Sequence, residues 1–348
     1  PEDVAMATKQ FSILIKAAVD ISESLRSISD QVDSSPFEAV ELPIPVELDE
    51  SGLSAWLDGQ NKSVSFAIDE VFAAFNGSEL VTSNVIPTTW LASDAPKVVF
   101  DSKTVELRLL SKELSLGGVV GDPLLESYLT DPVRRDYSLN KLAEDFTGFV
   151  VSENSSVTGV ALDAWMTSHL HSKVSEFVEN TQQGRVLSEI ELPSSHVLAK
   201  MELAGILVNS TKLKELFAEL ASRAEQVAAN CYEIIGKEIN LNSPKQLQTV
   251  LFDDLGMTGT KSVKTGFSTN AEALTTLFEQ TGHPFLEMLL EHREVTKMRQ
   301  MVEIILKGVA EDGRVHTSYV QTGTSTGRLS SENPNLQNIP IKSPIGKE

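Results

Sequence analysis

The sequence predicts a mixed α/β region in its first half, followed by a mainly helical region and then a short β region. Strand-forming runs alternate with helical runs over residues 37–146, the pattern of a sheet with flanking helices. Beyond residue 195 apolar residues recur at helical spacing, and after residue 312 a turn containing glycine leads into an alternating strand. A chain of 348 residues is long enough for two or three such domains.

Residues 3–32 carry a narrow apolar stripe at helical spacing, which ends at Ser34-Ser-Pro36. Such a helix serves either as a tether to an upstream domain or as an element docked on its own chain. The sequence favours neither alternative.

The α/β region divides into short elements separated by turn residues. Strands are predicted over residues 37–46, 63–68, 79–81, 85–87, 97–100 and 114–120. Helices are predicted from Asp49 to residue 58 and over residues 104–113, 122–129 and 138–146. Proline directly after Asp122 supports a helix start at that position.

The helical region has a continuous apolar face and several start signals. The face consists of Leu213, Leu216, Phe217, Leu220, Ala224, Val227, Ala228 and Cys231. Asn209 and Ser243 are predicted N-caps, the latter followed by Pro244 at the first helical position. Thr269-Asn-Ala-Glu272 is a predicted capping box, and Pro284 opens a long helix to residue 306. Long helices with little strand signal suggest an antiparallel arm.

Charge is distributed unevenly along the chain. The net charge is −20, from 29 Lys and Arg against 49 Asp and Glu. Residues 200–348 contain 16 of the basic and 18 of the acidic side chains, so almost the whole excess of acid lies before residue 200. Because binding to phosphates requires local basic groups, any nucleic acid is expected to contact the C-terminal half.

Several classes of protein are disfavoured by composition. The single cysteine, Cys231, excludes a disulfide framework and a multi-cysteine zinc site, and it is typical of a cytoplasmic protein. The sequence contains no run of 18 apolar residues, so it predicts no transmembrane helix, and no membrane partner is expected. The N-terminus does not show the pattern of a signal peptide.

The polar run TGTSTGRLSSENPNLQNIP over residues 322–340 carries the strongest functional signal. It combines one guanidinium, Arg328, with the amides of Asn333, Asn335, Gln337 and Asn338. Such donors suit the N3 and O2 acceptors of the minor groove, which are nearly the same in every base pair. A capped loop–helix junction uses the same residue types and is the structural alternative.

This run closely resembles the start of the palm in family-A DNA polymerases, the bacterial DNA polymerase I class. The resemblance extends upstream through Asp312-Gly-Arg-Val-His-Thr-Ser-Tyr319 and includes NLNSPKQLQTVL at residues 240–251. It implies that Arg328 and the amides hydrogen-bond the minor groove at the primer–template end, and the amides concerned are Asn335, Gln337 and Asn338. Pairing of Arg328 with a carboxylate such as Glu332 is the alternative.

The resemblance also assigns domains and a second DNA contact. It implies an N-terminal helical linker (1–36), a degenerate exonuclease-like domain (37–192), a thumb (193–311) and the start of a palm, truncated (312–348). The fold is an α/β ribonuclease H-like exonuclease domain followed by a mainly α-helical thumb and a β start of the palm. The thumb tip would contact phosphates through Asn242, Ser243 and Lys245, although a capped surface helix has the same sequence pattern.

The exonuclease resemblance rests on DPLLESYL and SLNKLAEDF. That fold holds two metal ions with four carboxylates, because hard cations prefer oxygen ligands. By motif match Asp69 is the only ligand that remains, since the other three positions carry Val71, Val105 and His169. Asp69, Glu70, Asp101 and Asp122 are therefore expected to cap elements or face solvent, and no proofreading activity is expected.

The resulting prediction is part of a DNA polymerase I that binds primer–template DNA as a monomer in the bacterial cytoplasm, in association with the nucleoid. The resemblance places the metal-binding aspartates and the dNTP-binding helix downstream of residue 340. We therefore expect no catalytic residue and no cofactor in this chain, while Mg²⁺ and dNTP belong to the complete polymerase. The alternative is a non-catalytic scaffold with an exonuclease-like fold and incidental DNA contact.

Overall fold

The computed structural model describes residues 42–149, 155–257, 262–263 and 266–339. The chain divides into two compact units: Pro1–Leu203 with Tyr319–Ser330, and Ala204–Ser318 with Ser331–Glu348. The predicted linker at residues 1–36 lies outside the described residues. No helix in the described ranges is long and apolar enough to cross a bilayer.

The first unit contains a six-stranded sheet and flanking helices. Its strands are β1 Val46–Glu47, β2 Val64–Ile68, β3 Phe72–Phe75, β4 Leu80–Ser83, β5 Lys97–Val99 and β6 Val119–Gly121. Its helices are α1 Glu50–Asp58, α2 Thr88–Ala92, α3 Ser102–Leu110, α4 Pro123–Thr130, α5 Leu139–Thr147 and α6 Gly159–Asn180. A further helix, α7, combines Gly184–Val186, a π-type turn Leu187–Glu191, and Leu192–Ala204.

The sheet is mixed, as the sequence predicted. Its strand order is β1-β4-β3-β2-β5-β6. The strands β2, β3 and β4 pair antiparallel, whereas β1 pairs with β4, and β5 with both β2 and β6, in parallel. A tight turn with a hydrogen bond from the Asp69 amide to the Val71 carbonyl (3.1 Å) joins β2 to β3.

Three of the predicted strands are corrected by the structure. Residues 85–87 lead into α2 instead of forming a strand, and most of the predicted strand 114–120 is irregular. Within the described part of the predicted strand 37–46, only Val46 belongs to a strand. The second difference has a physical reason at Gly118, which has φ +64° and whose Cβ position would lie 2.3 Å from the Ala95 carbonyl oxygen. The chain therefore turns close against the residues before β5 and joins the sheet only at Val119.

Apolar side chains cover both faces of the sheet. On one face, Phe66 and Phe72 are fully buried, and each pairs with the Trp90 ring in a T-shaped arrangement. On the other face, α6 packs Ala164 and Trp165 against Ala73 and other buried residues of β3 and β4. Neither β3 nor α6 was predicted from the sequence, although both are central to this core.

The second unit is mainly helical. It contains β7 Ile206–Leu207, α8 Ser210–Ile235, α9 Pro244–Gln248 with a π-type extension Thr249–Asp254, α10 Ala271–Thr281, α11 Pro284–Lys307 and β10 Arg314–Val315. Two strands of two residues each, β8 Ser262–Val263 and β9 Gly266–Phe267, pair antiparallel before α10. The last two strands, β11 Ser318–Val320 and β12 Ser330–Glu332, fall at the division between the units.

The predicted apolar face of α8 is confirmed. Leu220 and Ala224 pack with Val295 and Met298 of α11, and Cys231 lies in a second cluster with Phe285. Burial raises the pKa of the Cys231 thiol to about 11, consistent with a core residue.

The predicted helix starts are also largely confirmed. Asp49 and Asn209 cap α1 and α8, accepting hydrogen bonds from the amides of Gly52 and Lys212. The capping box is wrong by one residue, since Asn270 caps α10 by accepting from the Ala273 amide (2.9 Å). Thr269 is buried instead, and its carbonyl accepts a hydrogen bond from Arg293.

The turn residues near 193–195 do not interrupt the helix. Pro193 lies inside α7 and follows the π-type turn Leu187–Glu191. The proline ring and its missing N–H disfavour regular α-helical bonding, so a widened turn at this position has a local cause. The two units divide after Leu203, whereas the domain limits given above stay predictions.

Candidate nucleic-acid interface

The loop between β11 and β12 presents Arg328 to solvent. The Thr324 hydroxyl donates to the Arg328 carbonyl (2.8 Å) and accepts from the Arg328 amide (3.1 Å). Gly327, directly before Arg328, has φ +76°, a left-handed conformation that favours glycine. The backbone of Arg328 is thus held while its side chain is exposed, and no carboxylate in the described ranges forms an ion pair with it.

The same loop is attached to helices of the first unit. The Tyr128 hydroxyl, on α4, donates to the Thr324 carbonyl (2.7 Å) and accepts from the Gly327 amide (3.2 Å). At the start of the loop, the Gln321 side chain accepts from Ser195 (2.7 Å) and donates to Glu191 (2.8 Å). These contacts connect residues 126 to 199 positions apart, and nothing in the local sequence of Tyr128 indicated them.

The predicted amides lie in the second unit, on a tight turn after Pro334. The Asn335 side-chain oxygen accepts hydrogen bonds from the amides of Gln337 (3.0 Å) and Asn338 (3.3 Å). Ser331, which is buried, accepts from the Leu336 amide (2.9 Å) and holds the start of the turn. Asn335, Gln337 and Asn338 all have exposed side chains. The oxygen of Asn335 therefore shapes the turn.

The residues predicted at the thumb tip form a capped helix start. Ser243 caps α9 by accepting from the Gln246 amide (3.4 Å), and the Gln246 side chain accepts from the Asn240 amide (2.7 Å). Asn242 and Lys245 are exposed beside this cap. The hydroxyl of Ser243 is therefore engaged within the chain, whereas Asn242 and Lys245 are accessible to a ligand.

The positions predicted to be degenerate exonuclease ligands have different surroundings. Asp69 is exposed at the turn between β2 and β3. Val105, on α3, is packed in the apolar core. His169 stacks on Trp165 at a centroid distance of 3.9 Å, and its Nδ1 lies 2.9 Å from the Trp165 carbonyl oxygen. Burial lowers the pKa of His169, which favours the neutral ring. The structure thus shows a packing role for Val105 and His169.

Asp101 and Asp122 cap helices, as predicted. Asp101 accepts from the Thr104 amide (3.2 Å) at the start of α3. Asp122 accepts from the amides of Leu124, Asp101 and Ser102 at 2.7–3.0 Å. Its burial, with the nearby Asp101 carboxylate, raises the pKa of Asp122 to about 7. The sequence indicated a cap at Asp122 but not that the carboxyl is fully enclosed.

Comparisons with known proteins agree with the two-part organisation. Residues 60–178 match the model of the ribonuclease H-like domain of DNA polymerase I, and residues 210–348 match that of DNA polymerase family A. DNA polymerase I of Mycobacterium bovis is 39% identical over 295 residues, covering 78% of this chain and 33% of that protein. DNA polymerase I of Geobacillus stearothermophilus is 36% identical, covering 74% of this chain and 32% of the relative.

A solved structure gives the same result for the fold. The polymerase domain of Pol1 from M. smegmatis, in complex with primer–template DNA and dNTP, superposes with a TM-score of 0.80 at 36% identity. The match covers 86% of this chain and 57% of that one. The chain spans about a third of the length of the curated relatives that it matches.

Proposed function

The chain belongs to DNA polymerase family A, and we propose that it binds primer–template DNA as part of a DNA polymerase I. The observation that carries the proposal is Arg328, whose backbone is clamped by Thr324 while its guanidinium is free to reach outward. In the proposed complex it donates to an N3 or O2 acceptor at the end of the primer–template duplex, atoms present in every Watson–Crick pair. The related Pol1 polymerase domain was solved with primer–template DNA, which supports the same partner here.

The exposed side-chain amides of Asn335, Gln337 and Asn338 supply further minor-groove donors in this proposal. Asn242 and Lys245 supply contacts to phosphates, and the Ser243 cap holds their turn in place. Phosphate contacts position a duplex without reading its sequence, as a polymerase that accepts any template requires. Template-directed synthesis, with dNTP as substrate, is proposed for the complete protein.

Mg²⁺ is proposed for the complete polymerase only. Two-metal phosphoryl transfer needs grouped carboxylates. Across the described ranges, no three His, Cys, Asp or Glu side chains are grouped so that they could hold a metal ion. Monomeric state and cytoplasmic, nucleoid-associated placement stay predictions.

The first test concerns DNA binding and its salt dependence. Binding of a labelled primer–template to this chain is measured by fluorescence anisotropy at several salt concentrations. Replacing Lys245, an exposed cation, with alanine is expected to reduce the slope of log K against log salt by about one. Lys62→Ala, which removes an exposed cation from the acidic unit, is the matched control and should leave the slope unchanged. Salt-independent binding, or equal effects of both variants, would favour the scaffold alternative.

The second test concerns proofreading, which we propose is absent. A single strand labelled at its 5′ end should keep its length when incubated with this chain and Mg²⁺ or Mn²⁺, because Val105 and His169 are packed into the core instead of binding metal. The measurement is gel electrophoresis over time. Metal-dependent shortening that disappears in Asp69→Ala would contradict the proposal, whereas shortening that persists in that variant indicates a contaminating nuclease.

A further inference from the structure

We propose that Tyr128, in the ribonuclease H-like domain, is a positioning residue for the loop that presents Arg328 to DNA. The domain would then contribute to DNA binding by holding this loop. Tyr128 lies in the stretch that matches the ribonuclease H-like model, whereas Arg328 lies in the stretch that matches the polymerase model. The inference rests on the proposed role of Arg328, and it adds a role for a domain whose nuclease ligands are replaced.

The Tyr128 hydroxyl forms two hydrogen bonds with the loop. It donates to the Thr324 carbonyl (2.7 Å) and accepts from the Gly327 amide (3.2 Å), the first and last residues of one four-residue turn. A single atom therefore bridges both ends of the turn. The hydroxyl uses its hydrogen as a donor and its oxygen as an acceptor for these two bonds.

The two residues that Tyr128 contacts are also the ones that adjoin or hold Arg328. Thr324, whose carbonyl is bound by Tyr128, also holds the amide and the carbonyl of Arg328 through its own hydroxyl. Gly327, whose amide is bound by Tyr128, directly precedes Arg328. Both residues that hold the backbone at Arg328 are thus bonded to the same tyrosine.

Tyr128 is itself a buried and packed anchor. The side chain of Tyr128 is only 3% exposed, and its ring meets that of Tyr137 at a centroid distance of 6.1 Å. Farther back in the chain, the Glu202 carboxylate accepts from the Tyr319 amide (2.7 Å), and Gln321 is bonded to α7. The loop therefore leaves a fixed base, and Tyr128 supports it at its tip. Loss of the hydroxyl alone is expected to loosen the tip without disturbing the base.

Tyr137 offers a matched control. It is a neighbouring tyrosine of the same unit, and its hydroxyl donates to a backbone carbonyl, that of Asp131, at 2.7 Å. That carbonyl belongs to the residue just after α4 and not to the loop that carries Arg328. Tyr128→Phe and Tyr137→Phe each remove one tyrosine hydroxyl, and both keep the aromatic packing.

The experiment combines amide hydrogen exchange with DNA binding in the 348-residue chain. In Tyr128→Phe, exchange at Gly327 and Arg328 should accelerate about fivefold to tenfold, the factor for one net hydrogen bond, while Tyr137→Phe leaves both amides unchanged. Affinity for a primer–template, measured by anisotropy, should fall about threefold to tenfold in Tyr128→Phe. In an Arg328→Ala background the same substitution should cause little further loss, because the two residues act through one contact.

The outcomes separate this inference from the proposed function. Unchanged exchange at Gly327, or an affinity loss that is the same with and without Arg328, would overturn the positioning role while Arg328→Ala still reports on the groove contact. If Arg328→Ala leaves affinity unchanged, the proposed groove contact fails and the positioning role fails with it, although faster exchange in Tyr128→Phe would still identify the tyrosine as the anchor of the loop. Melting temperatures of both Phe variants close to the parent chain establish that these readouts come from folded protein.

Discussion

Replacing Arg328 with alanine is expected to weaken primer–template binding by about 1–3 kcal/mol, the value of one good base contact, which corresponds to about fivefold to 150-fold in affinity. Arg328→Lys should lose most of the same energy, because an ammonium does not reproduce the planar fork of the guanidinium. The melting temperature should hardly change, since the side chain is exposed and forms no ion pair with the described residues. Anisotropy titrations and thermal melts measure these two effects.

Two controls make the Arg328 experiment specific. Arg108→Ala removes another exposed guanidinium from the first unit and should leave affinity unchanged. A primer whose terminal purine lacks N3 removes the proposed acceptor, so Arg328→Ala should cost little on that duplex. Equal losses on both duplexes would place Arg328 at a phosphate. In the complete polymerase, normal extension past a terminal pair combined with a lower melting temperature would leave only a structural role for Arg328.

Local signals in the sequence predicted much of the fold. Asp49, Asn209 and Ser243 were identified as helix caps because a short polar side chain before an amphipathic run has few other functions. The buried face of α8 followed from apolar spacing alone. The strand β3, FAAF, was missed because four consecutive apolar residues fit a buried strand or a buried helix equally well. Its antiparallel pairing with the neighbouring strands β2 and β4 decides the matter, and the apolar pattern does not encode that pairing.

The candidate interface was predictable only where a motif carried it. Arg328 and the side-chain amides of Asn335, Gln337 and Asn338 were found through the resemblance, and the structure leaves these side chains exposed. Tyr128 had no such signal, since its partners lie 196 and 199 positions away and are a carbonyl and an amide that every residue possesses. The enclosure of Asp122 was equally hidden, because a cap looks the same in sequence whether it is exposed or buried.

The buried carboxyl of Asp122 leads to the second large effect, on stability. Its pKa is about 7 in the folded chain and near 3.8 in the unfolded one. Between these values the folded state retains a proton that the unfolded state has released, so the free energy of unfolding falls as pH rises from about 4 to about 7. Linkage gives a change on the order of 4 kcal/mol from this group. Burial also raises the pKa of Glu106 and Asp163, which adds a slope of the same sign.

Asp101→Asn isolates the contribution of the Asp122 site. It removes the carboxylate that helps to raise the pKa of Asp122, yet asparagine still caps α3 and tolerates the left-handed backbone found there, φ +54°. Urea unfolding should therefore show a shallower pH slope and a stability at pH 8 that is higher by on the order of 1 kcal/mol. Asp49→Asn, at the exposed cap of α1, should instead lower stability slightly above pH 5, because capping bonds lower the pKa of Asp49 and its charge is stabilising. A parent chain whose stability does not fall between pH 4 and pH 7 would show that Asp122 does not titrate in this range. The three backbone amides that it accepts from would then outweigh its burial and keep it ionised.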